Sequence, residues 1–256
     1  MGNHPTLKLA SYPRSILIFI FVNVFTLFCS LLTLFVIAPF MPRKTCDAFI
    51  RFWGKTLCRV SFVKVKLKGK GNLKGVSSGI LVSNHLSLLD IPVLYTVLPL
   101  SFRMAAKEEL FKIPFFGKAM AAFGFIPVLR ENPETSARHF QKIQDRFEKG
   151  EFFWMAPEGT RCDGKKIGPF KQGAFFLALS AQQPIIPICI YGTQLALPRN
   201  SLLMNWGEWS REVVVEILPP VFAEESGVRA RKELRDKVRE QIVHAYSQYA
   251  NYKSAH

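Results

Sequence analysis

From Ile16 to Ala38 the chain reads ILIFIFVNVFTLFCSLLTLFVIA, without a charge and with Asn23, Thr26, Ser30 and Thr33 as the clearly polar positions. As a helix this run reaches about 35 Å, against a bilayer hydrocarbon core of about 30 Å. It is too long for the apolar stretch of a cleaved leader, and Pro39, Pro42 and Arg43 follow where a small-x-small cleavage site would stand. A buried core helix would normally show a polar edge. The pattern therefore predicts a membrane-anchoring helix over 16–38, ended by Pro39 and Pro42.

After the prolines the period changes. Residues 44–60 set Phe49, Phe52, Trp53 and Leu57 among basic side chains, as in an amphipathic helix at a membrane interface. FVKVKLKGK then alternates strictly, with Val63, Val65 and Leu67 on one face and Lys64, Lys66 and Lys68 on the other. That is a half-buried strand near a sheet edge, where lysines discourage unwanted pairing. Further strands are predicted at 79–83, 124–129, 151–156, 185–191 and 213–218, and helices at 87–98, 115–122, 134–149, 171–181 and 227–250. The last helix carries Leu234, Val238, Ile242 and Tyr246 at four-residue steps, a stripe for docking on the body. Interspersed strands and helices indicate an α/β fold with a mixed, largely parallel sheet. The boundary falls near residue 60, between an anchor over 1–60 and an α/β domain over 61–256.

Charge sharpens the membrane reading. The net charge is +15, and between Arg43 and Lys74 ten basic residues face Asp47 alone. Such a field suits nucleic acid or an anionic membrane. The adjoining apolar helix favours the membrane surface and not nucleic acid, and positive-inside logic puts the bulk of the chain in the cytoplasm. The five cysteines include no CxxC pair, so free thiols are expected in that compartment. The N-terminal MGNHPT fits a myristoylation pattern only on paper, since an anchor is already present.

Three stretches carry candidate chemistry. GVSSG, residues 75–79, has the form of a hydrolase nucleophile elbow, but its strand follows where one should precede, so it reads as a turn. SNHLSLLD places His85 where the apolar run 79–82 ends, with Asp90 five residues on. Ser87 to Asp90 has the form of a capping box, so Asp90 could serve only to start a helix. A metal site is not expected, because the other histidines are scattered and no HExxH spacing occurs. The catalytic alternative is a dyad in which the carboxylate fixes the imidazole tautomer and leaves the other nitrogen to accept a proton. On one continuous helix these side chains would diverge by about 140°, so His85 must lie in a turn before the helix. The third stretch is APEGTRCDG, residues 156–164. It projects Glu158, Thr160 and Arg161 from a loop at a strand end, where ligands of α/β sheets bind and an arginine suits phosphate.

NHLSLLD resembles the N-H-x4-D motif of the glycerolipid acyltransferases, and PEGTR resembles their second hallmark. Lys107, Leu110, Gly117 and Arg130 match the K-x2-L-x6-G-x12-R pattern of the lysophosphatidic-acid acyltransferases, and QQPIIPICI, with Pro184 and Pro187, resembles the family's last block. The resemblance covers roughly residues 80–190, in family order. It implies acyl transfer from a thioester, acyl-CoA or an acyl carrier protein, to the free hydroxyl of a lysophospholipid, lysophosphatidic acid first, giving phosphatidic acid without a cofactor or metal. His85, oriented by Asp90, would be the general base. Arg130, Arg161 and Lys107 would hold the acceptor phosphate, and Glu158 and Gly159, with Thr160 beside them, would shape the glycerol site. Backbone amides after His85 are the expected oxyanion donors. The implied setting is the cytoplasmic side of a bacterial inner membrane. Rival readings are a sister enzyme with another acceptor, a membrane-bound thioesterase or lipase, and a non-catalytic lipid-binding protein.

Overall fold

The computed structural model describes residues 5–128, 143–204, 210–222 and 227–254. Helix α1 (Pro5–Leu32) runs on through a π-helical segment, Thr33–Ile37, and a last turn, Ala38–Phe40. Pro39 does not stop it. The Ala38 N–H already reaches back to Thr33 O, so the ladder is offset where the proline lacks a donor. The break comes at Met41, held extended ahead of Pro42. Helix α2 (Arg43–Val60) follows, then β1 (Val63–Lys68), whose three lysines are exposed as the alternation predicts.

The body consists of β2 (Gly79–Ser83), α3 (Asp90–Val97), β3 (Phe102–Lys107), α4 (Phe116–Ala122), β4 (Ile126–Val128), β5 (Phe152–Met155), α5 (Gly173–Ser180), β6 (Ile185–Tyr191), β7 (Arg211–Ile217) and α6 (Val228–Ser254). Among the described residues the strands form one sheet in the order β1-β7-β6-β2-β5-β3-β4. Every neighbouring pair is parallel except β6 with β7. The mixed, largely parallel sheet is thus as the sequence indicates, with β1 at one edge. The predicted helix over 134–149 lies largely outside the described residues.

The sheet separates two apolar layers. On one face Leu81, Trp154, Ile186 and Ile188 pack with Val93, Leu94 and Tyr95 of α3 and with Ile18 and Ile50 of the N-terminal helices. On the other, Ile80, Val82, Phe153 and Cys189 pack with Phe175 of α5 and with Leu234, Val238, Ile242 and Tyr246 of α6. All four stripe residues of α6 are buried. One strand, β3, was missing from the sequence pattern, because Arg103 interrupts its apolar run. Arg103 is only 3% exposed, its guanidinium pairing with Asp47 of α2 at 2.7 Å. A buried arginine survives in a strand when a carboxylate and a carbonyl receive it; here they are Asp47 and Phe102 O.

Residues Tyr12–Phe40 are long and apolar enough to cross a membrane, with a mean hydropathy of 2.5. Their polarity is arranged inside out. Ser15, Ser30 and Thr33 are buried towards the body, whereas Leu17, Val24, Phe28, Phe35 and Phe40 are exposed. Ser15 donates to Met204 O, and Trp53 of α2 donates to Thr26. The first helix therefore lies against the α/β body with an apolar outer face. Close packing continues at α2, where a Cβ on Gly54 would come within 2.9 Å of Pro92 O.

Candidate active site

Five strands, β2 to β6, end on one edge of the sheet, and the candidate residues gather there. At the exit of β2 the Asn84 side chain replaces one rung of the ladder. Its Nδ2 donates to Ile190 O at 2.8 Å, and Ile190 N–H donates to its Oδ1 at 2.9 Å. The chain then turns, carrying His85 ahead of α3 as the five-residue spacing requires. The indole of Trp154 donates to Ser83 Oγ and presents its edge to the imidazole, with ring centroids 6.0 Å apart.

Asp90 opens α3 and is fully buried. Its Oδ2 accepts the Leu86 N–H at 2.7 Å and the Ser87 N–H at 3.0 Å, and faces His85 Nδ1 at 2.7 Å. Its Oδ1 accepts the Thr193 hydroxyl at 2.6 Å. Capping and dyad are thus one arrangement, because the oxygen that collects the turn's amides also fixes the imidazole. With the Nδ1 proton given to Asp90, the lone pair is on Nε2. Nε2 enters no hydrogen bond among the described residues, and the side chain is 18% exposed. A base held in one tautomer, with an open nitrogen, is set to take a proton from a bound alcohol.

The loop after β5 is tied directly to this histidine. His85 N–H donates to Glu158 Oε1 at 2.9 Å, and Cys162 N–H donates to His85 O at 2.8 Å. Glu158 Oε2 accepts the Gly168 N–H at 2.7 Å, closing the loop on itself. Glu158 is buried, and burial raises its carboxyl above the ordinary range against the pull of the His85 and Gly168 amides and the Cys162 thiol. Gly159 has φ +68, and a Cβ there would lie 2.8 Å from Lys171 Nζ. The left-handed turn favours glycine, whereas the Lys171 side chain could shift to admit a Cβ. Thr160 is exposed, and Arg161 Nη1 is buried with no hydrogen bond among the described residues. Lys107 is exposed at the end of β3, on the same edge of the sheet. Arg130 lies outside the described residues.

Two residues absent from the sequence reading join the site. One is Thr193, just past β6. The other is Arg199, whose Nη2 approaches Thr160 Oγ1 at 3.5 Å. Between them Leu197 O accepts the Ser87 hydroxyl at 2.7 Å. The signal that could have found them is positional, since β6 ends on the same sheet edge and its exit loop must border the ligand. The GVSSG turn precedes β2, so Ser77 stands at the opposite end of that strand, about 20 Å away at a strand rise of about 3.3 Å per residue. Among the described residues no three His, Cys, Asp or Glu side chains cluster as metal ligands would.

Beside the dyad opens an apolar cavity of about 670 Å³. Its walls are Ile18, Val22 and Thr26 of α1, Ile50, Trp53 and Leu57 of α2, Met120 and Phe123 of α4 and its exit, and Leu88 and Leu89 from between His85 and Asp90. The turn between His85 and Asp90 thus shares the wall of a cavity with the N-terminal helices. An aliphatic chain fits such a lining.

A histidine hydrogen-bonded to a buried aspartate, beside an apolar cavity and a Pro-Glu-Gly-Thr-Arg loop, fits the acyltransferase class on an α/β scaffold. The family model described as Acyltransferase matches residues 64–191, and the chain belongs to that family. Among curated relatives, a chloroplast 1-acyl-sn-glycerol-3-phosphate acyltransferase of Brassica napus is 30% identical over 246 residues, covering 93% of this chain and 69% of that one. The 1-acyl-sn-glycerol-3-phosphate acyltransferase of Salmonella typhimurium is 30% identical over 231 residues, covering 90% and 84%. The crystal structure of the 1-acyl-sn-glycerophosphate acyltransferase PlsC from Thermotoga maritima shares the fold, with a TM-score of 0.75 at 23% identity over 94% of this chain and 97% of that one.

Proposed function

We propose that this acyltransferase moves a fatty acyl group from a thioester to the free glycerol hydroxyl of lysophosphatidic acid, producing phosphatidic acid. The observation that carries the reading is the His85–Asp90 pair at 2.7 Å, tied through Glu158 to the phosphate-type loop and bordering an apolar cavity. The acceptor hydroxyl gives its proton to His85 Nε2 as its oxygen attacks the thioester carbonyl. The tetrahedral intermediate collapses with cleavage of the C–S bond, and the departing thiolate takes the proton back from the imidazolium. Asp90 stabilises the transient positive ring and keeps it aligned. No protein nucleophile is required, because the acceptor hydroxyl attacks.

Arg161, Lys107 and Arg130 are assigned to the acceptor phosphate, an anion suited to planar guanidinium donors. Thr160 and Gly159 border the glycerol, and Glu158 supports them from beneath. The oxyanion role expected of the turn's amides narrows to one group. His85, Leu86, Ser87 and Leu89 have all committed their N–H groups, to Glu158, Asp90, Asp90 and the Ser87 hydroxyl. Leu88 N–H enters no hydrogen bond among the described residues. The apolar outer face of α1 and the basic β1 edge fit a protein seated on an anionic leaflet, its catalytic edge at the lipid boundary on the cytoplasmic side. The donor is acyl-CoA or an acyl carrier protein, and the positive surface suits either.

The test is labelled acyl-CoA with lysophosphatidic acid and detergent-purified protein, wild type beside His85→Ala, followed by glycerol phosphate and other lysolipids as acceptors. Loss of the base is expected to lower turnover by roughly 10²–10⁴-fold. Equal product from both proteins would remove the proposed base, and preference for another acceptor would replace the substrate. A Ser77→Ala variant is expected to keep full activity, which separates this reaction from serine hydrolysis.

A further inference from the structure

Thr193 lies beyond the stretch 64–191 that the family model matches, one residue past Gly192 at the exit of β6. It and Asp90 are both fully buried, 2.6 Å apart. An ionised carboxylate has no proton to give, so the hydroxyl is the donor. The two oxygens of Asp90 then have separate duties: Oδ2 faces the imidazole and the turn amides, and Oδ1 faces Thr193 alone among the described residues. We propose that Thr193 is a positioning residue for acyl transfer, its hydroxyl fixing the orientation and charge of Asp90 so that Thr193, Asp90 and His85 work as one proton-handling unit.

The surroundings make the hydroxyl a fixed donor. Gly192 has φ +103, and a Cβ there would meet Glu212 O at 2.5 Å, so this turn is pressed against β7. Gly192 N–H donates to Gln194 Oε1, Gln194 Nε2 donates to Tyr246 of α6, and the Tyr246 hydroxyl donates to Gly164 O in the loop after β5. Leu197 N–H closes on Thr193 O, and Leu197 O holds Ser87. The hydroxyl is thus braced from the sheet, from the C-terminal helix and from the dyad turn. The titratable neighbours of the unit are His85 itself and, across its backbone, Glu158 and Cys162. Without the hydroxyl, Oδ1 would be a buried anionic oxygen lacking a donor.

This inference rests on His85 being the base, and its test separates the two. Thr193→Val keeps the shape and removes the donor. It is expected to lower kcat about 10- to 100-fold, the range of a hydrogen bond to a charged group, with KM for donor and acceptor within about twofold. Thr193→Ser should restore most of kcat. In an Asp90→Asn background the valine should cost less than about twofold more, since residues acting through one another are not additive. A Thr193→Val enzyme with wild-type kcat overturns the proposal. So does a serine variant, folded by thermal unfolding, that is as impaired as valine, and so does a full additive loss beside Asp90→Asn. A His85→Ala enzyme with full activity would instead overturn the reading beneath it.

Discussion

Glu158→Gln tests whether the glutamate of the loop serves the acceptor or the histidine. In the structure Oε1 takes His85 N–H at 2.9 Å and Oε2 takes Gly168 N–H at 2.7 Å. Glutamine can satisfy only one of them. Whichever way the amide turns, its NH₂ confronts a backbone N–H, so one charge-assisted bond is lost and a buried donor is left unpaired. The lost bond, with its buried donor left unpaired, is expected to cost about 1.5–3 kcal/mol. For a chain of this size that corresponds to a Tm lower by about 5–10 °C. Turnover should fall more visibly. The displaced group is the backbone of the base, and a misplacement of about 1 Å costs roughly 10²-fold. Labelled acyl transfer in detergent micelles, titrated in acceptor, should therefore show kcat reduced with KM nearly unchanged. A KM that rises while kcat holds would refute the reasoning and return Glu158 to the glycerol pocket.

The pH dependence supplies a second check on the same variant. Burial raises the Glu158 carboxyl in the fold, so the folded state holds this proton more tightly than the unfolded chain. Between the unfolded value, about 4.3, and the raised folded one, the native state carries more of the proton. The contribution of this group to stability is therefore largest at acid pH and declines as pH rises through that interval. Glutamine has no such term. The Tm advantage of the wild type over Glu158→Gln should narrow as pH is raised from about 4.

Burial, with Glu158 and Asp163 adding to it, pushes the Cys162 thiol up to about 11, so it stays protonated at neutral pH. Iodoacetamide at pH 7.5 should label it about a hundredfold more slowly than an unhindered thiol, read by mass spectrometry of the tryptic peptide; rapid labelling would mean the loop is open. Replacing Lys64, Lys66 and Lys68 together with glutamate should weaken sedimentation with phosphatidylglycerol vesicles about tenfold or more, and added salt should shrink the difference. Lys66 contributes least, since Glu212 already pairs with it at 2.7 Å. Unchanged binding would place the basic edge away from the membrane.

Periodicity and spacing reached most of the scaffold because those signals are local. The alternation of Val63, Val65 and Leu67 with lysines marked β1, and the four-residue stripe of α6 marked a helix buried on one side. The dyad was legible for a related reason: His85 and Asp90 are five residues apart, and one strand exit brings them together. What escaped depends on contacts distant in sequence. Arg103 looks like a break in an apolar run until Asp47, on another element, receives it. Thr193 is a threonine after a glycine until the sheet lays the exit of β6 beside that of β2, more than a hundred residues away in sequence. The polar positions of the first helix point the same way. Thr26 and Ser30 read as blemishes in an anchor, yet they face the body and the cavity it shares with the catalytic turn. Read in three dimensions, the anchor and the chemistry share one wall. Exposed apolar residues of α1 and pocket-lining ones alternate on a single helix, so a segment long and apolar enough to cross a membrane also shapes the cavity.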